Sequence, residues 1–330
     1  MKTSLAAIDP GGTLVDSTTG ICRSGDLGFQ VGMTYSDAMS RAGWLGRGPY
    51  DCIAIGAPVL PPGVLHYDER PCEKVFCWEP FRHLCLFPAS HVGNRRCLRR
   101  AGCDTARQLS GTAASMEVYP RFPRVYPRAN LVEAFPVGFM AVMLPKVVIE
   151  DCPSTELKSA ALFEACVALG LWHRVREGIA WPDTEFWAAL PSPDLYQLER
   201  AAMVCLLTAA CVWAGKYVAV GEPEAGYLFL PPWELWQRWA QEALDRHRIS
   251  PRLHRSVEVW IDGARYRASD LLPLHASRGV AFITRTAGPR GADCRPCSGK
   301  VIADRNGGEI HGVEITRGSG PESGDLSSLS

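Results

Sequence analysis

Three acidic residues stand in surroundings where an acid is costly unless it has something to hold. Asp9 closes the apolar run Leu5-Ala6-Ala7-Ile8 and precedes Pro10-Gly11-Gly12-Thr13. Glu133 interrupts Leu131-Val132-Glu133-Ala134-Phe135. Glu199 falls in helical phase with Leu195, Ala202 and Leu206, toward the apolar side of a helix and near its start. A carboxylate held away from water must be paired, protonated or bound to a cation. Hard oxygen donors from two strands and one helix suit Mg²⁺ or Mn²⁺, with positions left for water and phosphate. Two such ions about 4 Å apart would activate a water and stabilise a leaving oxygen, the chemistry of phosphodiester hydrolysis. Each acid also has a plainer reading. Asp9 serves as a turn residue, Glu133 pairs with an arginine of the segment 61–128, and Glu199 favours the helix dipole.

A basic segment offers a surface for a phosphate backbone. Between Arg82 and Arg128 there are nine arginines, no lysine, and only Asp104 and Glu117 as acids. The planar arginine fork grips phosphate in two places. Arg95, Arg96, Arg99 and Arg100 are the expected substrate-binding residues, and Tyr119, Phe122 and Tyr126 could stack on bases. The bland alternative is a solvated loop whose arginines pair with acids elsewhere. Zinc is disfavoured: Cys72, Cys77, His83, Cys85, His91, Cys97 and Cys103 lack the close paired spacing of zinc modules. Cys294 and Cys297 form one half-site, with His311 the sole nearby helper.

These side chains need elements to hold them. Residues 4–8 read as a short strand ending at Asp9, and 20–32 as two strands joined at Ser24-Gly25-Asp26. Ser36 is the expected cap of a helix ending near Leu45. Asp51 to Pro58 reads as a continuous apolar strand of the kind buried on both faces, stopped by its proline. A helix is expected near 96–109, a strand at 130–135, and helices over 154–171 and 193–216. Tyr227 to Leu230 returns as a strand, and Trp233 to His247 reads as an amphipathic helix. Val257 to Ala268, turning at Asp262-Gly263, carries a strong hairpin signal. The resulting division is an α/β domain over 1–240 with an insertion at about 61–128, a small β-rich module over 250–314, and a disordered tail over 315–330.

Composition sets limits. Lys+Arg and Asp+Glu are equal at 35 each, so any pull on nucleic acid must come from a local patch. The longest apolar run, Ala201 to Gly215, is short of the ~20 residues of a membrane span. No secretory signal precedes Asp9, so the 13 cysteines read as reduced thiols of a cytoplasmic protein, with Cys52, Cys166, Cys205 and Cys211 as small core hydrophobes. Oligomeric state has no signature.

Ala7-Ile8-Asp9-Pro10-Gly11 resembles the opening of Holliday-junction resolvases and other RNase H-like nucleases. A wider set resembles the uncharacterised family of predicted nucleases with an RNase H-like fold. Its members here are Ile8-Asp9-Pro10-Gly11-Gly12, Ile53-Ala54-Ile55-Gly56-Ala57-Pro58, Leu131-Val132-Glu133-Ala134-Phe135-Pro136, and the run Leu198-Glu199-Arg200-Ala201 through Ala209. The likeness spans roughly residues 4–232. It implies a five-stranded mixed sheet with helices on both sides, and Asp9, Glu133 and Glu199 as metal-holding, catalytic acids. One position departs from the pattern: Gly56 stands where the family usually carries an acid. Asp16 would have to substitute, or one metal suffice, or catalysis be lost; Asp51 lies about 17 Å back along an extended strand.

The expected function is therefore a Mg²⁺- or Mn²⁺-dependent nuclease or related phosphodiester hydrolase. The alternative is a non-catalytic nucleic-acid-binding or scaffold protein on the same fold. A third reading, an ATP-dependent kinase of the related actin-like superfamily, rests on Asp9-Pro10-Gly11-Gly12-Thr13 as a phosphate turn, but the second phosphate loop and the adenosine loop are missing from the sequence.

Overall fold

In the computed structural model the described residues are 3–10, 19–46, 48–59, 70–81, 94–112, 117–118, 130–152, 158–223, 225–248 and 257–266. The chain is mixed α/β: one large mixed sheet flanked by helices. β1 (Leu5–Asp9), β2 (Thr19–Gly25) and β3 (Gly28–Thr34) form an antiparallel meander. On the other side of β1 come β4 (Cys52–Ile55) and β6 (Asn130–Ala134), both parallel to it, with the short β5 (Glu117–Val118) also paired to β6. β7 (Val218–Glu222) and β8 (Gly226–Leu230) form a hairpin whose second strand runs parallel to β6.

The hairpin read at 257–268 forms as β9 (Glu258–Ile261) and β10 (Ala264–Arg265), with Asp262 and Gly263 both at positive φ in its turn. Its placement differs from expectation. β9 pairs with β7, so this hairpin extends the main sheet and does not begin a separate module. The rest of the expected 250–314 module, the 315–330 tail, Cys294 and Cys297 lie outside the described residues. The sheet order is β10-β9-β7-β8-β6-β4-β1-β2-β3, larger than the five strands that the resemblance implies.

The helices follow in chain order. They are α1 (Ala38–Leu45), α2 (Pro71–Phe76), α3 (Asn94–Thr112), α4 (Pro136–Ala141), α5 (Lys146–Glu150), α6 (Lys158–Ala168), α7 (Leu171–Ile179), α8 (Thr184–Ala189), α9 (Gln197–Trp213) and α10 (Arg238–Arg248). Asp37, not Ser36, caps α1, accepting from Ser40 N–H at 2.8 Å. No helix among the described residues is long and apolar enough to cross a membrane.

The central strands bury both faces, which is why they read as continuous apolar runs. Leu5, Ala7, Cys52, Ala54, Val132 and Ala134 pack toward α9, with Ala202 and Cys205. Ala6, Ile8, Ile53, Ile55 and Leu131 pack toward α1 and α3, with Leu45, Ala106 and Leu109. Glycines allow two close approaches. A Cβ on Gly20 would lie 1.9 Å from the Leu198 carbonyl oxygen, so α9 can lie directly on β2. A Cβ on Gly102 would lie 2.5 Å from the Pro58 carbonyl oxygen, which seats α3 on the segment leaving β4. Cys22, Cys52, Cys72, Cys166, Cys205 and Cys211 are buried thiols.

Candidate functional site

Strand register decides whether the three acids meet. Ile8 pairs with Ile55, and Ile55 pairs with Glu133. Glu133 thus lies in the row of Ile8 and Ile55, whose side chains face α1 and α3. Asp9 is one residue further on, paired with Gly20, and the ladder continues there through Gly56 N–H to the Ile8 carbonyl at 2.8 Å. Side chains in adjacent rows point to opposite faces of a sheet. Asp9 therefore faces α9: its Oδ1 would lie 3.1 Å from a Cβ on Gly56, beside Cys205 Sγ of α9 at 3.0 Å. Asp9 and Glu133 leave the sheet on opposite sides.

Glu133 is moreover held by three hydrogen bonds. Its carboxylate accepts two hydrogen bonds from the Arg70 guanidinium, at 2.7 and 2.5 Å, and a third from Val59 N–H at 3.1 Å. Arg70 also reaches Glu73 through Nε at 2.8 Å and a terminal nitrogen at 2.6 Å. Arg70, Glu73 and Glu133 are each 1% exposed. Burial pushes the Glu133 carboxyl up from its ordinary range, and the Arg70 contact draws it back only in part. Burial pulls Arg70 down, but the charges of Glu133 and Glu73 outweigh this and raise it, so the guanidinium stays charged. The Arg70 guanidinium faces both buried carboxylates, and with Val59 N–H it takes three of the roughly four acceptor sites of Glu133.

Glu199 has a local job. Its carboxylate accepts from Tyr196 N–H at 2.9 Å in a capping box at the start of α9. Its backbone lies near Gly20, so it is on the Asp9 side of the sheet, half-buried. The structure thus places two of the three acids on one face and corrects the expectation of a shared three-acid centre. Among the described residues no group of three or more His, Cys, Asp or Glu is arranged to hold a metal ion.

Among the described residues, what lies beside Asp9 is poorly suited to a hard dication. Burial drives the Cys205 thiol well above its ordinary range, with the Asp9 charge adding to the effect, so this sulfur is a protonated thiol and not a thiolate ligand. On the other face the buried Arg41 bonds Thr19 Oγ1 at 2.9 Å, Thr105 Oγ1 at 2.8 Å and the Ala101 carbonyl at 3.2 Å. Burial lowers its guanidinium, while Asp37, Asp9 and Asp104 counter by charge. Asp51, the distant substitute, accepts from Ser4 N–H at 2.9 Å, at the opposite end of the strands. Asp16 and the Gly11-Gly12-Thr13 turn lie outside the described residues.

The expected substrate arginines divide. Arg99 is 9% exposed, lowered by burial and lying near Arg70, Glu73 and Glu133, so it is a member of the buried charge cluster and not a surface grip. Arg100 stands in solvent, paired with Asp104 at 3.5 Å, as does Arg107 at 3.0 Å. Arg95 and Arg96 lie on α3. Arg70 and Glu73 were not singled out by sequence. The one local signal for them is the Arg-Pro-Cys-Glu run, a proline at a helix start followed by an acid in its first turn. Of the cysteines weighed for zinc, Cys72 is a core residue, and Cys77 and Cys103 are half-buried.

No family model, curated protein or solved structure matches this chain.

Proposed function

We propose that this chain is a non-catalytic member of the RNase H-like class, acting as a nucleic-acid-binding or scaffold protein. Support for the class comes from the contiguous set β3-β2-β1-β4-β6, a five-stranded mixed sheet with helices on both faces, and from the order of the four motifs it carries. Support for the loss of catalysis comes from one observation above all. Asp9 and Glu133 project from opposite faces of the sheet, and Glu133 is held by Arg70. Among the described residues the acids on that face are Asp9 and Glu199, the latter held in its capping box, beside a protonated thiol and Gly56, a set with too few free oxygen ligands for Mg²⁺ or Mn²⁺. The residues do not fit the metal that the resemblance implies, and no hydrolytic step is derived through it.

The test is calorimetric titration of MnCl₂ into the wild-type protein and Asp9→Asn. The reading predicts the heat of dilution for both. Stoichiometric binding by wild type that is abolished in Asp9→Asn would overturn it and restore the metal-dependent nuclease. A thermal-shift measurement with ATP addresses the kinase reading in the same samples, with no response expected.

A further inference from the structure

We propose that one face of α3 is a contact surface for a nucleic-acid backbone, with Arg96, Arg100 and Arg107 in one phosphate-gripping row. The proposal rests on the binding reading above and names its partner and its residues.

The row follows from helical phase and burial. α3 carries five arginines, one acid and no lysine over 19 residues. At 3.6 residues per turn, positions 96, 100, 104 and 107 fall within roughly a quarter of the helix circumference. The other side is committed to the fold. Thr105, Ala106 and Leu109 are buried there, and Gly102 abuts Ala57 and Pro58. Arg99 is turned into the core beside the Arg70 cluster. On the remaining side the Arg100 and Arg107 side chains are 85% and 74% exposed, and position 96 falls in phase with them along the helix.

Charge favours an anionic partner. Asp104 is the only acid of the helix, and Arg100 and Arg107 share it. Ion pairs this exposed contribute little, so either guanidinium can exchange the carboxylate for a phosphate at little loss. Three arginines against one aspartate give the row a surplus of two positive charges in a chain whose formal net charge is zero. The rise between 96 and 100 is about 6 Å, and between 100 and 107 about 10 Å. That spans several phosphates of a strand carrying one charge per ~3.4 Å of axis. Arginine adds two-point phosphate geometry that lysine lacks. The row holds no asparagine or glutamine to read base edges, so binding is expected to track the backbone and not the sequence.

The experiment is fluorescence anisotropy of a fluorescein-labelled, 20-nucleotide single-stranded DNA of mixed sequence, titrated with full-length protein across a salt series. The row variant is R96Q/R100Q/R107Q. The control, R174Q/R176Q/R238Q, removes the same charge from exposed positions on α7 and α10. The proposal predicts that the row variant loses at least about tenfold in affinity and about two units of the log–log salt slope, whereas the control stays within about twofold of wild type. Absence of binding by wild type overturns it, as does an equal loss in the control. Binding to phosphatidylserine vesicles without binding to the oligonucleotide overturns it too, and assigns the row to a membrane surface. Incubating the same mixtures with MnCl₂ and resolving the DNA on a gel separates the two proposals. Cleavage with the row effect intact removes the non-catalytic reading alone; no cleavage and no row effect removes the nucleic-acid row alone.

Discussion

Replacing Glu133 with glutamine separates the buried-pair account from a metal centre by the sign of a stability change. In a metal centre, unliganded carboxylates repel one another, and neutralising one is neutral or stabilising for the metal-free protein. Here Glu133 faces a cation. Arg70 gives it two hydrogen bonds at 1% exposure, and Val59 N–H gives a third. Breaking a buried ion pair by removing one partner costs about 3–5 kcal/mol. Glutamine keeps one acceptor oxygen, and Glu73 remains on Arg70. The expected loss is therefore at the low end, about 3 kcal/mol. Arg70→Met should cost more, about 4–5 kcal/mol, because it leaves two buried carboxylates with no cation between them. Urea unfolding followed by the fluorescence of the buried tryptophans measures both, and the Glu133→Gln loss corresponds to a melting temperature lower by roughly 4–5 °C. If Glu133→Gln is as stable as wild type or more so, the reasoning is refuted.

Three further outcomes follow from the same geometry. Gly20→Ala places a Cβ 1.9 Å from the backbone oxygen of Leu198; since backbone cannot swing aside, α9 must move, and a loss above about 3 kcal/mol is expected in urea unfolding. Gly56→Asp restores the acid of the family pattern, but its Cβ meets Cys205 Sγ at 3.0 Å and Asp9 Oδ1 at 3.1 Å. It should cost about 2 kcal/mol and gain no Mn²⁺ affinity by calorimetry. His247 is held down by burial against Trp78 and Phe81, with the Glu79 carbonyl opposing. The unfolded chain takes up this proton first, so stability falls as pH drops through the ordinary histidine value toward the folded one. Melting temperatures between about pH 7.5 and pH 5 should decline less in His247→Gln than in wild type, and equal declines would exclude this histidine as the cause.

Local pattern carried much of the framework. β1, β4 and β6 were readable as apolar runs because both their faces are buried, α9 from its length and phase, and the turn at Asp262-Gly263 from its chemistry. β7 was missed, since its neighbours β8 and β9 lie across a tight hairpin and a crossing of about 36 residues. The sequence pattern does not show the short helices α2, α4, α5, α7 and α8 either; α2 and α4 have only six residues and α5 five, too short for a period to register. The expectation that Glu133 is awkwardly buried held, and the alternative of an arginine partner from 61–128 names the right kind of neighbour. The sequence could not say which face Glu133 takes relative to Asp9. That depends on Ile55 pairing with Glu133 rather than Ala134, a one-residue register that only the assembled sheet defines. Arginine is mostly exposed, which makes Arg99 look like a surface grip in sequence; it is buried because α3 sits tightly over Ala57 and Pro58.

The most direct test is a crystal structure grown in MnCl₂ with anomalous data collected near the manganese edge. The account predicts Glu133 on the Arg70 side of the sheet, Asp9 on the α9 side, and no anomalous peak within about 2.5 Å of both carboxylates. A manganese ion bridging Asp9 and Glu133, with Arg70 displaced, would contradict it.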